Sequence, residues 1–328
     1  MGTRNMLGIT MGDPAGIGPE VICKALSAMS TEDRAATIVI GDPHYMRRAA
    51  ALVGADVAFV EKGDAVPLGK VRLEAVPSEN RDAIRDGIQS GAAGEAAFQC
   101  VKRGVEMALR GDIDVIVTAS LNKAALREAG YPYNGHTGAL AHLCGVDTSY
   151  AVLACPQFSV IHVTTHVSLS KAAELCRVER ILRTIRAGHD HVLSTGIGNP
   201  RIAVSALNPH AGEGGMFGTE DDAFVVPAVA AARDEGMDVT GPVPGDVVFS
   251  QAVDGKYDLV VAQFHDQGHI PAKLLGRHET VNVTAGLPIL RTSVDHGTAF
   301  DIAWKGVADP QNMQAAIRMA RTMRPVKK

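Results

Sequence analysis

Histidines near the ends of apolar runs are the residues of this sequence with the clearest capacity for chemistry. His162 and His166 stand four apart in HVTTH, His210 lies in LNPHAGEGG, and His265 and His269 stand four apart in FHDQGH. A single histidine is more often a hydrogen-bonded structural residue than a metal ligand. Three strand ends that each deliver a histidine to one edge of a sheet favour a divalent metal site, because three imidazoles bind Zn²⁺ and leave one position open.

Within HVTTH, only one histidine is expected to bind the metal. If both lie on one strand, they share a face but stand roughly 13 Å apart, which is too far to share an ion. Two carboxylates near the histidine motifs, Asp246 and Asp266, are candidates for supporting partners or extra ligands.

The pair in FHDQGH raises a separate question, because the same spacing on a helix places both imidazoles on one face, as in zinc peptidases. The apolar run before it, residues 258–264, is typical of a buried strand. Gly268 and Pro271 disfavour an uninterrupted helix through both histidines. We therefore predict that His265 is a ligand and that His269 has a structural or supporting role.

A second group of residues has the chemistry to hold a phosphate or a carboxylate. His136 and Thr137 precede a predicted helix, whose first amides would be free to bind an anion. Lys273 offers a point charge, Arg291 offers a planar fork of donors, and Asn282 lies between them in sequence. The alternatives are that Thr137 is only an N-cap and that the cations are solvated surface charges. Arg291 stands in an apolar stretch, which weakens that alternative for it.

Two glycine-containing turns have the small residues that close approach to a ligand requires. GDPAGIGPEV (12–21) follows the first predicted strand, but its glycines do not form the GxGxxG pattern. Many such loops are only structural, although a place at the carboxyl end of a parallel strand favours a ligand site. In DHGTAFD (295–301), a Gly–Thr turn opens a predicted helix.

The composition excludes several classes of partner. The chain has 328 residues, of which 46% are hydrophobic and 21% charged, and its net charge is −4. No basic field suggests nucleic acid or an anionic membrane. No apolar run is long enough for a membrane span, and the start lacks a signal-peptide core, so we expect a cytoplasmic protein. Five scattered cysteines without a CxxC motif indicate reduced, mostly buried thiols.

Short β-branched runs alternate with amphipathic helical patterns such as residues 91–110, which is typical of an α/β fold with mostly parallel sheets. The predicted strands are residues 6–10, 36–41, 70–76, 114–120, 150–154, 159–165, 201–207, 258–264 and 280–284.

No repeat or long linker marks a domain boundary, so we expect the boundaries in short crossings near 125–135 and 285–295. The predicted division is a terminal α/β domain, residues 1–130 plus 290–328, and a central α/β domain, residues 131–289, which carries the metal ligands and dimer contacts.

Taken together, these motifs resemble one family. In chain order they are GDPAGIGPE, LNKAAL, GHT, VTTH, LNPHAGEGG, GPVPGD, YDLVVAQFHDQGHIPAKLLG and VNVTAGLPILRTSVDHGTAFDIA. No single motif is specific, but their order and spacing over residues 7–308 resemble the 4-hydroxythreonine-4-phosphate dehydrogenase family of pyridoxal-phosphate biosynthesis.

The resemblance implies an architecture similar to that of the isopropylmalate and isocitrate dehydrogenases, which bind NAD(P) without a GxGxxG loop. Two α/β domains would flank a cleft in each subunit of a homodimer, and the active site would be shared between subunits. His166, His210 and His265 match the metal ligands, with His265 reaching the metal held by the partner subunit's His166 and His210.

The resemblance also assigns the ligand contacts. The substrate-binding positions are His136, Thr137, Lys273, Asn282 and Arg291. NAD⁺ would lie in the same cleft, against residues 291–301, where Asp295, Gly297 and Thr298 are the expected cofactor contacts.

One position departs from the family pattern. An acidic residue usually follows GHT, and here Gly138 stands in its place. The family includes paralogues that act on D-threonate or D-erythronate 4-phosphate or on a dihydrodiol of terephthalate. HDQGHIPAKLLG and TVNVTAGLPILRTSVDHGTAFDIAW look closer to the sugar-acid paralogue.

The reaction implied is a metal-dependent oxidation of the secondary hydroxyl of a phosphorylated four-carbon hydroxy acid, with NAD or NADP, to a β-keto acid that decarboxylates. The candidate substrates are 4-phosphohydroxythreonine and D-threonate or D-erythronate 4-phosphate. Zn²⁺ is the favoured ion, with Mg²⁺, Mn²⁺ and Co²⁺ as alternatives, and Lys273 and Asp246 are the candidate general bases. The alternative functions are a dihydrodiol dehydrogenase of the same family, a metal-dependent hydrolase, and a ligand sensor without catalysis.

Overall fold

The computed structural model of the protein describes residues 5–61, 66–67, 69–276 and 279–326. The strands in these residues are β1 (Leu7–Thr10), β2 (Thr37–Gly41), β3 (Phe59–Glu61), β4 (Val71–Ala75), β5 (Val115–Thr118), β6 (Tyr150–Ala154), β7 (Ser159–His162), β8 (Arg201–Ser205), β9 (Asp238–Val243), β10 (Leu259–Ala262), β11 (Val281–Ala285) and β12 (Leu290–Ser293). The α-helices are α1 (Gly18–Ser27), α2 (Thr31–Ala35), α3 (Pro43–Leu52), α4 (Gly91–Arg110), α5 (Lys123–Glu128), α6 (His136–Leu143), α7 (Leu169–Leu175), α8 (Val178–Ser194), α9 (Val226–Asp234), α10 (Gly245–Val253), α11 (His265–Gly276) and α12 (Gln311–Thr322).

The predicted α/β fold class is confirmed, and each predicted strand is present, mostly with shorter ends. The predicted helix at 91–110 is α4. Its Ser90 hydroxyl accepts the N–H of Ala93, and Gly111 ends it in the left-handed conformation. Strands β3, β9 and β12 were not predicted, because each is short or interrupted by charged residues, glycine or proline.

The chain divides into two compact units. The first consists of the described residues up to Ser149 together with Leu287–Pro325. Its strands follow the order β3-β4-β2-β1-β5-β12, and every neighbouring pair is parallel. Leu7 of β1 and Leu290 of β12 both pair with Val115 of β5. The carboxyl ends of these three strands therefore bring the glycine-rich turn and the 295–301 loop to one edge.

The second unit comprises Tyr150–Gly286, with strand order β11-β6-β7-β10-β8-β9. β7, β10, β8 and β9 are parallel, whereas β6 is antiparallel to both β11 and β7. His162 of β7 pairs with Ala262 of β10. This register places the carboxyl ends of β7 and β10 side by side, so the chain after β10 emerges next to His162.

The units divide after Ser149 and after Gly286, whereas the sequence favoured division after residues 130 and 289. The domain limits stay a prediction, because compact units need not fold independently. In the described part of the chain, no helix has both the length and the apolar character that crossing a bilayer requires.

The five cysteines carry free thiols, as the sequence predicts. Burial raises the pKa of Cys23 and Cys100 to about 12 and that of Cys144 and Cys176 to about 11. At neutral pH these four thiols are protonated and therefore weak nucleophiles.

Candidate functional site

Helix α11 begins at His265 and continues through His269 to Gly276, so the prediction that Gly268 and Pro271 interrupt the helix is wrong. Pro271 lies in the second turn, where it removes a single intrahelical hydrogen bond. Gly268 is buried against β7, and a Cβ there would lie 2.4 Å from Nε2 of His162 and 2.7 Å from Val160. The close packing that only glycine allows offsets its low helix propensity.

The start of α11 is fixed by two glutamines. The Gln267 side-chain oxygen accepts the N–H of Gln263 at 2.7 Å, which ties the end of β10 to the first turn. The amides of Gln263 and Gln267 donate to the carbonyls of Ser205 and Ala206 at 2.7 and 2.8 Å. These bonds anchor the segment that delivers His265 to the end of β8.

Four imidazoles cluster where β7 meets α11. The rings of His265 and His269 are stacked, with centroids 3.7 Å apart and an interplanar angle of 12°. The rings of His162 and His166 lie 6.5 and 5.6 Å from that of His265. The estimate that His162 and His166 are about 13 Å apart on one strand therefore does not apply, because β7 ends at His162 and His166 lies in the loop beyond it.

Protonation in this cluster follows from its hydrogen bonds and its burial. His265 Nδ1 lies 2.7 Å from a carboxylate oxygen of Asp266. A carboxylate accepts, so Nδ1–H is the donor, and in the neutral imidazole the lone pair is then on Nε2. Burial, helped by the neighbouring His269, lowers the pKa of His162 to about 3. His162 is therefore neutral at physiological pH. A carboxylate that holds one nitrogen of an imidazole is the usual partner of a metal-binding histidine.

His210 lies in an exposed loop after β8 with an unusual backbone. His210, Ala211 and Glu213 adopt positive φ angles of 52°, 54° and 42°. Such conformations cost of order 1–3 kcal/mol for non-glycine residues and cluster at functional sites. The buried carboxylate of Asp221 holds the preceding chain by accepting the N–H groups of Leu207 and Asn208 at 2.7 and 2.9 Å.

The three predicted metal ligands do not form one group within this chain. Among residues 5–61, 66–67, 69–276 and 279–326, no three His, Cys, Asp or Glu side chains are arranged to hold a metal ion. The structure brings His166 close to His265, but it does not join His210 to them.

Arg291 is a buried cation in β12. Arg291 is only 2% exposed. Its Nε and Nη2 donate hydrogen bonds to the hydroxyl oxygen of Thr118 at 3.1 and 2.6 Å. The Thr118 hydroxyl donates in turn to that of Ser293 at 2.9 Å. Burial lowers the pKa of Arg291 to about 9, so the guanidinium is still charged at pH 7. The prediction that this arginine is more than a surface charge is consistent with its burial.

His136 and Thr137 begin α6, in the same unit as Arg291. His136 Nε2 is buried and has no hydrogen-bond partner among the described residues. Burial, together with the charge of Arg291, holds the pKa of His136 well below its usual value. Thr137 is not the N-cap, since Gly135 holds that position. A neutral imidazole with an unsatisfied nitrogen, near a buried cation, suits a polar or anionic ligand.

The remaining predicted contacts lie in the second unit. Asn282 is in β11, and its Oδ1 is buried without a partner among the described residues. Lys273 is exposed on α11, and Asp246 is exposed in the first turn of α10. Lys273 lies four residues after His269 and therefore shares a helix face with it.

The predicted cofactor loop contacts the glycine-rich turn. Ile17 donates its N–H to the carbonyl of Thr298 at 3.0 Å, and a Cβ on Gly16 would lie 2.9 Å from Thr298. The space around Gly297 is open. His296 adds a buried Nε2 without a partner in the described part of the chain. Both turns singled out from the sequence thus meet in the first unit.

Sequence reasoning missed several polar residues of these regions. Thr118 accepts hydrogen bonds from Arg291, Ser293 accepts one from Thr118, and Asp13 is buried in the glycine-rich turn. Each follows or ends an apolar strand, which is the available signal. Their partners are distant in sequence, so the pairings themselves could not be read from it.

Asp13 accepts the N–H of Ala15 at 2.9 Å through Oδ1, while its buried Oδ2 has no partner among the described residues. Burial raises its pKa from 3.8 to about 6 against the opposing effect of backbone N–H groups. The folded state therefore binds this proton more tightly than the unfolded chain does.

Wild type is expected to lose stability as Asp13 ionises with rising pH, and Asp13→Asn is expected to remove this loss. The contribution of Asp13 is fully present below its unfolded pKa and is lost as pH rises through about 6. Relative to the variant, the wild-type free energy of unfolding should fall by up to about 3 kcal/mol across that window. Denaturant unfolding measures this difference. Asp234→Asn is the control for removal of an exposed carboxylate. Parallel pH profiles for wild type and Asp13→Asn would contradict the assignment.

Comparison with known proteins places these features in a family. The family model described as "Pyridoxal phosphate biosynthetic protein PdxA" matches residues 33–320. D-threonate 4-phosphate dehydrogenase of Pectobacterium atrosepticum is 44% identical over 320 residues, which cover 96% of this chain and 98% of that protein. 4-Hydroxythreonine-4-phosphate dehydrogenase of Geobacter metallireducens is 43% identical over 330 residues, with 99% and 97% covered.

A solved structure gives the same result. The crystal structure of 4-hydroxythreonine-4-phosphate dehydrogenase from Klebsiella pneumoniae matches with a TM-score of 0.89 and 44% identity, and 98% of each chain is covered. The fold and the full-length similarity define the chain as an oxidoreductase of the dehydrogenase class. It belongs to the pyridoxal phosphate biosynthetic protein PdxA family. The family resemblance predicted from the sequence motifs is confirmed.

Proposed function

We propose that the protein uses NAD⁺ and a divalent metal to oxidise the secondary hydroxyl of a phosphorylated four-carbon hydroxy acid, giving a β-keto acid that decarboxylates. The observation that carries this proposal is the buried guanidinium of Arg291, whose charge acts on a His136 ring with a buried, unsatisfied Nε2. A planar guanidinium matches phosphate oxygens in pairs. The names of the relatives specify 4-phosphate substrates, which supports the same ligand chemistry.

Gly138 favours a sugar acid over an amino acid as substrate. The residue is exposed in the first turn of α6, and an added Cβ would meet nothing closer than Tyr133 at 3.7 Å. Neither the backbone conformation nor the available space requires glycine at this position. The effect of Gly138 is therefore the loss of the carboxylate that the family usually has there. Without a negative group at this position, a substrate ammonium has less to pair with than in relatives that carry an acid. We therefore favour D-threonate or D-erythronate 4-phosphate over 4-phosphohydroxythreonine.

The donor set fits a divalent metal shared between two copies of the chain. His265 has one nitrogen held by Asp266 and the other available, but the described residues of one chain do not gather three ligands. His166 and His210 of one subunit and His265 of its partner would complete a three-histidine site suited to Zn²⁺, with Mg²⁺, Mn²⁺ or Co²⁺ as alternatives.

Exposed apolar side chains support a homodimer at this surface. On α11, Ile270 is 56% exposed and Leu274 is 70% exposed. Met216 and Phe217, which follow the His210 loop, are also exposed. Large apolar groups on the helix and the loop that carry predicted metal ligands are suited to burial against a second copy.

The residues of the chain have distinct proposed roles. Arg291 binds the phosphate, with hydrogen bonds from Thr137 and His136. Lys273 and Asn282 add substrate contacts, as the family resemblance implies. When bound, a divalent metal would supply stabilisation of negative charge and a nicotinamide cofactor would supply a hydride acceptor. Lys273 is the better placed of the two candidate bases, because it shares a face of α11 with the imidazoles.

The 295–298 loop fits the cofactor. The buried, unsatisfied Nε2 of His296 and the open space at Gly297 suit a ligand that brings hydrogen-bonding groups. We propose that Asp295, Gly297 and Thr298 contact NAD⁺, with NADP⁺ as the alternative.

A substrate panel tests the proposed reaction. NADH or NADPH formation would be followed with D-threonate 4-phosphate, D-erythronate 4-phosphate, 4-phosphohydroxythreonine and the cis-dihydrodiol of terephthalate. We expect a sugar-acid phosphate to give the highest kcat/KM. Failure of every substrate to reduce either nicotinamide would contradict the proposal, and product formation without a nicotinamide would favour a metal-dependent hydrolase.

Thr118→Val is expected to raise the KM of the phosphorylated substrate roughly tenfold with little change in kcat. The variant removes the hydroxyl that accepts two N–H groups of Arg291. The guanidinium would then be less restricted before binding, and immobilising such a side chain on binding costs about 0.5–1.5 kcal/mol. Thr118→Ser keeps the hydroxyl and serves as the matched control in steady-state kinetics. Equal KM values for the valine and serine variants would show that this hydroxyl does not orient Arg291 for binding.

A further inference from the structure

His269 has a defined tautomer because of its two neighbours. Its Nδ1 lies 3.2 Å from the backbone carbonyl oxygen of His265 and 3.0 Å from Nε2 of His162. A carbonyl oxygen can only accept, so Nδ1 carries the proton and Nε2 of His162 accepts it. His162 consequently carries its own proton on its buried Nδ1. The hydrogen bond to His162, at the buried end of β7, thereby fixes the plane of the His269 ring.

The fixed ring of His269 in turn supports His265. The two rings are nearly parallel, at 3.7 Å and 12°, so the face of His265 rests on the face of His269. Asp266 holds the edge of the His265 ring at Nδ1. One contact determines the plane of the imidazole and the other determines its tautomer, and together they leave Nε2 as the nitrogen with a lone pair.

Gly268 makes this arrangement possible. It is buried between the two histidines of FHDQGH, and any side chain there would meet Nε2 of His162 at 2.4 Å. That is the same nitrogen that accepts the proton of His269. A larger residue would push α11 away from β7 and separate His269 from His162.

We propose that His269, held by His162, is a positioning residue that orients His265 for metal binding through ring stacking. This inference rests on the proposed metal site. The inference gives His269, one helix turn after the proposed ligand His265, a role other than metal binding. It also explains why α11 has a glycine, Gly268, between the two histidines.

Two variants of matched bulk separate positioning from simple packing. His269→Phe keeps a flat ring that can stack on His265, whereas His269→Leu keeps apolar volume without a plane. Both leave His162 Nε2 without its donor, so both should lose similar stability. Zn²⁺ affinity of the full-length protein would be measured by competition with a chelator, alongside thermal unfolding of the metal-free protein.

We expect His269→Leu to bind Zn²⁺ about 10- to 100-fold more weakly than wild type, the range typical when the support of a metal ligand is lost. His269→Phe should stay within about threefold of wild type, since the stacked plane is retained. Equal affinities for the leucine variant and wild type would overturn the inference, and so would equal losses in both variants. A wild-type protein that binds no Zn²⁺ would instead refute the proposed metal site.

Discussion

The proposed metal site predicts that replacing His210 with asparagine abolishes binding of a divalent ion and lowers kcat by about a thousandfold or more. A metal that stabilises developing charge contributes several kcal/mol to catalysis, and each 1.36 kcal/mol is about a factor of ten in rate. Asparagine is the informative substitution because His210 has a φ of 52°, a left-handed conformation that asparagine tolerates better than alanine does. The loss of the imidazole is thus separated from backbone strain.

Metal content after dialysis and turnover with saturating substrate would be measured on the same preparation of this variant. His189→Ala, which removes a half-buried imidazole from α8 in the same unit, is the control and should retain both metal and activity. Full metal content together with wild-type turnover in His210→Asn would remove His210 from the site.

Arg291→Ala is expected to raise the KM of the phosphorylated substrate about ten- to a hundredfold. A hydrogen bond to a charged group contributes about 1.5–3 kcal/mol, and here the cation is buried, where water cannot replace it. Arg291→Lys should recover only part of the affinity, because an ammonium keeps the charge but lacks the paired donors of a guanidinium.

Steady-state kinetics with the phosphorylated substrate and with its unphosphorylated analogue distinguishes the phosphate contact from general damage. The loss of kcat/KM should be large for the first and small for the second. Arg318→Ala, on the exposed side of α12, is the control for the removal of an arginine from the same unit. An unchanged KM in Arg291→Ala would exclude a role in substrate binding.

The parts of the fold that the sequence predicts are those in which local pattern and burial agree. TIVIG and LVVA are continuously buried and, apart from Thr37, apolar, because both faces of β2 and β10 are covered. Such runs are recognisable without knowledge of their neighbours. DVTGPV and LRTS form β9 and β12 despite their glycine, proline or arginine. Backbone hydrogen bonds to the neighbouring strands, β8 and β5 respectively, hold them in the sheet. Long-range pairing of that kind leaves no local signal.

For the candidate site, too, the sequence predicts the individual residues but not their long-range contacts. The residue types were predictable, since His265, Arg291 and His136 stand at or near element ends where side chains are free to meet ligands. Their supporting partners were not, because Thr118 is 173 residues from Arg291 and His162 is 107 from His269. The low helix propensity of Gly268 and Pro271 predicts an interruption of α11, but the packing of Gly268 against β7 stabilises a continuous helix.

The hydrogen bonds of Arg291 reduce the side-chain conformational entropy that would be lost when a ligand binds to it. An arginine on an open surface samples many rotamers, and immobilising such a side chain on binding costs about 0.5–1.5 kcal/mol. Thr118 has already restricted the guanidinium in the folded protein. That rotamer freedom is lost during folding, before any ligand arrives, so a phosphate bound at the proposed site would immobilise a side chain that has little conformational entropy left to lose. Calorimetric binding of a phosphate ligand should accordingly show a smaller unfavourable conformational entropy than binding to a mobile surface arginine.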